Sequence, residues 1–469
     1  MILKIILRIL YIMILNFENI KQNFYVPKEI RYKYGEINTP FSLINNMLNL
    51  IPSIDFQDKN KKWLDIGSGN GYFAIVLFHK LFNGLVDSIN EPEERKNHII
   101  QNMIYMSEIR PENWEKIYYY FGENCNLFKG DFISHNILQQ FDFIIGNPPY
   151  NSNGIKKVPT NDIIDKKLDG KTIWVQFIKK SIELLKINGK MVVIIPSIWL
   201  KEDKAKMHNL MLQYKIEKIF CMNNTETNQI FNKYAQTPTC YFLFTKINNP
   251  GYVTIYDKDT QKYIKWNISI GKNTSIPVFG SSILQKINNH LSYQNYLQVY
   301  KTNLPNKSLV FKEINDTNYI YPNVKTCKLN NLSPSLIIEY SNIPQQYYGI
   351  PKIIMAHKMY GFPFIDYSGN YGICNRDNYV ILKEDKTIEE LELLRDFFST
   401  KTALYLFETT RYRMKFLEKY IFELIPDITK ISDFPKIIND NTIANYFNFD
   451  ENDIYNINKL HKKNYTFFL

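Results

Sequence analysis

Apolar residues in the first half of the chain fall into short runs that alternate with longer amphipathic stretches. Phe41, Ile44, Met47, Leu48 and Ile51 recur at three-to-four spacing, which predicts a helix with Thr39 as N-cap and Pro40 at its first position. Trp63 to Ile66 reads as a strand, Gly67 to Gly71 as a turn and Tyr72 to Leu77 as a helix. Phe82 to Gln101 is polar, charged and helical, lengthening the first crossover. Asn102 to Glu108 predicts a second strand, and Arg110-Pro111-Glu112 opens another helix. Asn126 to Phe132 predicts a third strand with an acid at its tip, and Phe143 to Ile145 a fourth. Residues 151–172 are polar and lack a period, as expected of a linker or lid. Trp174, Phe177, Ile178, Ile182, Leu184 and Leu185 predict an amphipathic helix ending at Asn188-Gly189, followed by a buried strand from Met191 to Ile195. A later strand is expected over Thr239 to Phe244.

This alternation implies an α/β fold with a parallel, doubly wound, Rossmann-like sheet. The pattern changes after Asn248-Asn249-Pro250-Gly251, where short aromatic and β-branched runs are separated by Asn, Gly and Pro. The expected organisation is an apolar extension over 1–30, the α/β domain over 31–250 and a mixed α/β domain over 251–469. In the last of these, Pro351 to Gly361 and Tyr371 to Asp377 interleave basic, amide and aromatic groups of the kind that reach base edges and phosphates. A final helix is expected from Leu391 to Leu424, with Arg411, Arg413, Lys415 and Lys419 among its apolar positions.

Composition changes this picture little. Of 469 residues, 45% are hydrophobic and 22% charged, as in a soluble globular protein. The formal charge is +11, which permits a polyanionic partner. Residues 251–469 hold 26 basic and 22 acidic side chains, so +4 sits there and +7 in the first 250, and neither part is a basic clamp. Five scattered cysteines without CxxC spacing predict neither a disulfide framework nor a zinc site, and fit a reducing, cytoplasmic compartment. Met1 to Leu15 is apolar but carries Lys4 and Arg8, so a membrane anchor is not expected. An apolar helix on the body, or a working start at Met13, is expected instead.

The chemistry gathers at the predicted strand ends, where ligands bind in such sheets. After the fourth strand comes Gly146-Asn147-Pro148-Pro149-Tyr150. The prolines make the turn rigid and remove two donors. The Asn147 side chain and the proline carbonyls are left as acceptors beside the Tyr150 ring, which suits a planar group bearing an amine. Asp65-x-Gly67-x-Gly69-x-Gly71 departs from the GxGxxG of dinucleotide binding. Such a loop suits the amino-acid part of S-adenosylmethionine, with Asp65 near the ammonium. Glu108, preferred over Glu91 because a strand leads into it, is placed to accept ribose hydroxyls. Asp131 is placed for an adenine amino group, with Phe132 covering the ring.

In order, Glu36-x-x-Thr39-Pro40, the glycine loop, Glu108, Asp131-Phe132, Asn147-Pro148-Pro149-Tyr150 and the strand from Gly189 to Pro196 resemble the gamma-class N6-adenine DNA methyltransferases. The resemblance covers residues 31–250. It implies that Glu36, Thr39, Asp65, Gly67, Gly69, Glu108, Asp131 and Phe132 hold S-adenosyl-L-methionine. Asn147 and the Pro148 carbonyl would accept hydrogens of the target amine, Pro149 would stiffen the turn, and Tyr150 would stack on a flipped base. Phe231, or alternatively Tyr234, would close the other face. The implied partners are double-stranded DNA and a separate cognate restriction endonuclease, with no metal and no membrane; the second domain would recognise the target. The same tetrapeptide serves methyltransferases of protein glutamine or RNA guanine, and a catalytically inactive DNA-binding relative is a further alternative.

Overall fold

The predicted strand Trp63–Ile66 lies inside a sheet in a computed structural model of the chain. The structure describes residues 24–153, 171–268, 275–290, 297–305, 311–330, 333–357, 362–413 and 417–459. The apolar segment Met1 to Leu15 therefore lies outside the described residues, as does most of the predicted linker or lid over 151–172. The chain divides into two compact units, Met1–Ile255 and Tyr256–Leu469.

The first unit begins with α1 (Lys28–Tyr34) and α2 (Phe41–Leu48), and then β1 (Trp63–Ile66) leads through the glycine turn into α3 (Tyr72–Gly84). There follow α4 (Pro92–His98), β2 (Ile104–Glu108), α5 (Pro111–Phe121), β3 (Asn126–Lys129) and β4 (Phe141–Gly146). A short antiparallel pair, β5 (Asn151–Ser152) and β6 (Lys171–Thr172), precedes α6 (Trp174–Leu184) and the long β7 (Leu185–Pro196). The unit is completed by α7 (Met207–Met211), β8 (Tyr214–Met222), α8 (Asn224–Ile230), β9 (Thr239–Asn248) and β10 (Tyr252–Asp257), within which the chain passes to the second unit.

Over the strands of this unit the order is β10-β8-β9-β7-β4-β1-β2-β3. The β3-β2-β1-β4-β7 run is parallel, and β9 is antiparallel to both of its neighbours. The doubly wound sheet expected from the alternation is therefore present. Its side chains show why. Trp63, Phe143, Ile145, Val192, Ile194, Tyr241 and Leu243 point to one face, in a core shared with α2 and α3. Their neighbours Leu64, Ile144, Met191, Val193, Phe242 and Phe244 are just as buried on the other face. A strand covered on both faces is expected to be apolar throughout, and this is how the buried stretches of these strands read apart from Asp65 in β1. Trp63 stacks on Phe143 at 3.8 Å between centroids, fixing β1 against β4 at their first registered pair.

Several local expectations are corrected. The helix after Thr39 starts at Phe41, Pro40 is its cap residue and no side chain caps it; the Thr39 hydroxyl is used elsewhere. The polar stretch before β2 is not one helix, because Phe82 still belongs to α3 and a loop separates it from α4. The third strand stops at Lys129, so Asp131 and Phe132 lie in the loop beyond it. Asn188-Gly189 does not end a helix: α6 stops at Leu184, and the pair forms a bulge inside β7, where Asn188 has φ +63° and the register to β4 shifts. An Asn-Gly pair offers left-handed backbone in either setting, so the sequence alone does not separate them.

The second unit is mixed α/β, as expected. It contains β11 (Lys262–Asn267), α9 (Ser281–Asn288), β12 (Tyr300–Lys301), β13 (Tyr321–Asn330), β14 (Ser333–Ser341), β15 (Lys352–Ala356), β16 (Phe364–Asp366), β17 (Gly372–Ile373) and β18 (Asn378–Leu382). A helical end follows: α10 (Ile388–Phe398), α11 (Lys401–Thr409), α12 (Asp440–Tyr446) and α13 (Glu451–Lys459). One sheet has the order β12-β18-β15-β16 and another β14-β13-β17. Val324, Cys327, Ile354, Ile373 and Val380 join them in one core.

The single helix expected from Leu391 to Leu424 is broken at Ser399-Thr400, where the Thr400 hydroxyl caps α11 by accepting from Ala403 N. Arg411 and Arg413 follow α11 and pair with Glu408 and Glu418, while Lys415 lies outside the described residues. The basic and amide groups of 351–361 and 371–377 are also partly spoken for. Lys352 is fully buried and donates to Asp366 at 2.6 Å, and Asn375 donates to the Lys325 carbonyl. Those two side chains hold the fold and are not free to read a base.

Candidate active site

The carboxyl ends of β1, β2 and β4, with the segment before α2, line one cavity of about 1150 Å³ in the first unit. The glycine turn forms part of its wall. Gly67, Gly69 and Gly71 have φ of +70°, +55° and +79°, a run that side-chain-bearing residues adopt only at a cost. Gly71 N donates to Ser68 O at 2.8 Å and Ser68 N to Ser107 O at 2.9 Å, so the turn is tied to the end of β2. No atom lies within 4 Å of the place a Cβ would take on Gly69, so the turn faces open space there.

Glu108 braces this turn. Its carboxylate accepts from Gly69 N at 2.7 Å and from Arg110 N at 2.8 Å. Burial raises its pKa to about 7, against the pull of those amides and with the Glu36 carboxylate adding to the rise. Glu91, the rival considered for its role, is the cap residue of α4 and does not line the cavity.

Asp65 is placed differently from the expectation. It is 1% exposed, lies beneath the cavity and is not among the residues of its wall. Ser68 Oγ donates to the backbone carbonyl of Asp65, and both carboxylate oxygens are buried without a hydrogen-bond partner. Burial drives its pKa up to about 8, with the nearby Ser68 pulling the other way. A Cβ on Gly146 would stand 3.2 Å from Asp65 Oδ1 and 2.9 Å from Ile66 O, so β4 approaches β1 too closely here for any side chain.

The segment from Gly35 to Thr39 straps three of these strand ends together. Glu36 forms an ion pair with Arg110 at 2.5 Å, just past β2. Asn38 Oδ1 accepts from Asn70 Nδ2 in the glycine turn at 3.2 Å. Thr39, 4% exposed, accepts from Asn147 Nδ2 at 3.0 Å, just past β4. Both carboxylate oxygens of Glu36 are occupied by Arg110 and Asn113, so Glu36 works within this strap.

Asp131 accepts from Ile133 N and Ser134 Oγ, which shapes the loop after β3. Phe132 is buried and stacks on Phe177 of α6 at 5.1 Å. A residue missed by the sequence reading holds this loop: Lys180 Nζ donates to the carbonyls of Phe132, Ile133 and His135. Lys180 sits three residues after Phe177, the next-turn position on the same helix face, but its three acceptors are backbone atoms that leave no mark in a sequence.

Asn147, Pro148, Pro149 and Tyr150 all line the cavity. Tyr150 is half-buried, with its hydroxyl 3.5 Å from Ile194 O. Phe231 and Tyr234 also line it, but unequally. Phe231 is 2% exposed and belongs to the main core, whereas Tyr234 is half-buried with Arg31 lying 4.6 Å over its ring. The structure thus brings every candidate residue to one cavity except Asp65, which lies just below it.

Residues 38–231 match the Eco57I restriction-modification methylase family. That span contains every feature just described except residues 35–37 of the strap, α1 and the ring of Tyr234. The type II methyltransferase M.AccI of Acinetobacter calcoaceticus is 37% identical over 93 residues, covering 18% of this chain and 17% of its own. M.HincII of Haemophilus influenzae is 24% identical over 263 residues, 53% of this chain and 45% of its own. Among solved structures, the M protein of the type I restriction enzyme EcoKI superposes with a TM-score of 0.36 at 16% identity, covering 60% of this chain and 56% of that one. The chain spans less than half the length of the curated relatives it matches. The methylase resemblance and the Rossmann-like fold drawn from the sequence are borne out.

Proposed function

We propose that the first unit transfers a methyl group from S-adenosyl-L-methionine to the N6 amino group of an adenine flipped out of duplex DNA. The observation that carries this reading is the Asn147–Thr39 bond beside the cavity. With Nδ2 of Asn147 engaged, its Oδ1 is the atom left to accept from an incoming amine. The family match and the M.AccI and M.HincII likenesses support a DNA substrate.

The residues fit the cofactor. The glycine turn offers room at Gly69, Glu108 stands at the end of β2, and Phe132 and Phe177 offer apolar cover. The buried Asp65 carboxyl, its pKa raised to about 8, is a group that a cationic neighbour would draw toward its charged form. The cavity exceeds the range of about 300–1,000 Å³ typical for one small ligand, as a site for a cofactor and a base requires. When bound, the sulfonium supplies an already activated methyl.

What the chain must do is align and polarise. An exocyclic amine is a poor nucleophile because its lone pair is delocalised into the ring. Acceptance of its two hydrogens by Asn147 Oδ1 and the Pro148 carbonyl favours a tetrahedral nitrogen and stabilises the charge that develops on it. Pro149 keeps those acceptors in place, and holding the pair in near-attack geometry lowers the barrier by several kcal/mol. Flipping the base costs a few kcal/mol. Stacking on Tyr150, worth about 1–3 kcal/mol, offsets part of this. Tyr234, with its half-buried ring, is better placed than the core residue Phe231 to close the other face. The second unit then serves as the target-recognition domain, and a separate restriction endonuclease is the expected partner.

The test is incubation of the purified protein with labelled S-adenosylmethionine and duplex DNA, followed by nucleoside analysis. Label in N6-methyladenine is expected. Label only in protein or RNA favours the glutamine or guanine alternatives, and cofactor binding without transfer favours an inactive DNA-binding relative.

A further inference from the structure

Four of the charged residues lining the cavity stand toward the strand ends: Glu36, Glu108, Asp131 and Arg110, which is paired with Glu36. The other three, Arg31, Lys33 and Lys233, line it from α1 and from the turn after α8. Lys33 and Lys233 are exposed, so these cations form the rim. Among the described residues none of the three forms an ion pair with a carboxylate. Arg31 instead donates to Val26 O at 3.1 Å and lies over the Tyr234 ring. Lys33 lies 4.9 Å over Tyr34, and its backbone carbonyl accepts from Asn153 N, three residues after Tyr150.

The turn that carries Lys233 is strained. Asn232 and Lys233 have φ of +48° and +68°, consecutive left-handed residues with neither a glycine. Lys233 N donates to Asn228 O at 2.7 Å and Tyr234 N to Phe231 O at 2.9 Å, which holds the turn in that form. Strain held by its surroundings at the edge of a site points to a role in that site. Its effect is to set Lys233 and Tyr234 together on the rim, with Arg31 against the same ring.

Like charges gathered without counter-ions around one opening suit a ligand that brings negative charge. A neutral amide side chain brings none. A flipped nucleotide brings a phosphodiester on each side of its sugar, and backbone contacts of this kind position a strand without reading its sequence. We propose that Arg31, Lys33 and Lys233 seat the phosphodiesters flanking the flipped nucleotide in a DNA strand. The proposal rests on the DNA reading above and adds where the strand enters the cavity.

The experiment uses the full chain and a duplex containing the site mapped by sequencing DNA from an expressing, otherwise unmethylated host. Binding is measured against salt for the native protein, for Lys33→Gln/Lys233→Gln and for Arg31→Gln. The double variant is expected to bind about tenfold more weakly at low salt, with the slope of log affinity against log salt reduced by about 2. S-adenosylmethionine affinity, measured in the same samples, should be unchanged. In a second arm, neutral methylphosphonates replace the phosphates flanking the target adenine. They should weaken binding of the native protein and have little further effect on the double variant. A normal salt slope in a variant that binds cofactor, or equal methylphosphonate losses in both proteins, overturns the seat while leaving adenine methylation intact. Should a variant fail to fold, undiminished binding of the methylphosphonate duplex by the native protein overturns it as well. Unmodified host DNA instead overturns the methylation reading, and the seat with it.

Discussion

The side-chain amide of Asn147 donates to the hydroxyl of Thr39 at 3.0 Å, linking positions 108 residues apart. An asparagine amide can present either end to a ligand, and with Nδ2 turned to Thr39 it is Oδ1 that remains. Thr39→Val keeps the shape and removes the acceptor, so turnover should fall about tenfold, the worth of one hydrogen bond at a buried group. Thr39→Ser should restore most of it. Steady-state kinetics with DNA and cofactor varied in turn decide the point. A loss confined to the cofactor KM would show that Thr39 does not act through Asn147.

Removing Asn147 itself should be far more damaging. Asn147→Ala is expected to lower transfer by about 100-fold or more, in line with the loss of one group that stabilises developing charge. Cofactor binding should survive, because the glycine turn and Glu108 are untouched. Equilibrium binding and single-turnover transfer on the same preparation test both halves. Retained transfer would remove Asn147 from the mechanism.

Lys180 offers a test at a residue placed to support the cofactor site from outside. Its ammonium holds the carbonyls of Phe132, Ile133 and His135. Lys180→Met keeps much of the aliphatic stem and deletes all three bonds. The cofactor KM should rise several-fold while kcat changes little, and Tm should drop by a few degrees. Thermal melts with and without cofactor measure both effects. An unchanged KM would show that Phe132 holds its place against Phe177 without this clamp.

Two carboxyls make stability depend on pH in the cofactor-free protein. Burial raises Asp65 from 3.8 to about 8 and Glu108 from 4.5 to about 7, so each binds its proton more tightly folded than unfolded. Their contribution is complete below about pH 4 and is lost progressively as pH rises to about 8. Tm of the cofactor-free protein should therefore fall between pH 5 and 8. Asp65→Asn should leave only the shallower dependence due to Glu108, ending near pH 7. A variant whose melting follows pH as steeply as the native protein would exclude Asp65 as the source.

Much of the first unit is legible in the sequence because its chemistry is local. Phe143 to Ile145 is an apolar run closed by a glycine, and Trp63 to Ile66 is one but for Asp65; a strand buried on both faces has little other way to look. Gly67, Gly69 and Gly71 announce a turn by spacing alone. The sequence is mute where one signal has two uses. Asn188-Gly189 suits a helix end as well as the bulge it forms, and Thr39 has the makings of an N-cap but spends its hydroxyl on Asn147. Around Ser399-Thr400 the apolar period runs on across the break between α10 and α11, which hides it. Partners far apart in the chain, such as Glu36 with Arg110 or Lys180 with three carbonyls, are products of the fold and have no local trace.

The position of β9 bears on how the chain is made. It is synthesised after β8 yet lies between β8 and β7, pairing Lys190 to Pro196 on one side and residues of β8 on the other. Until Thr239 to Thr245 have left the ribosome, the β7 edge therefore stays open, with Met191 to Ile195 presenting an unpaired apolar ladder. Open edges of this kind invite pairing with other chains. A fragment ending between β8 and β9 would be prone to aggregate, and one ending after Thr245 is the shortest that holds every β9 residue registered with that edge.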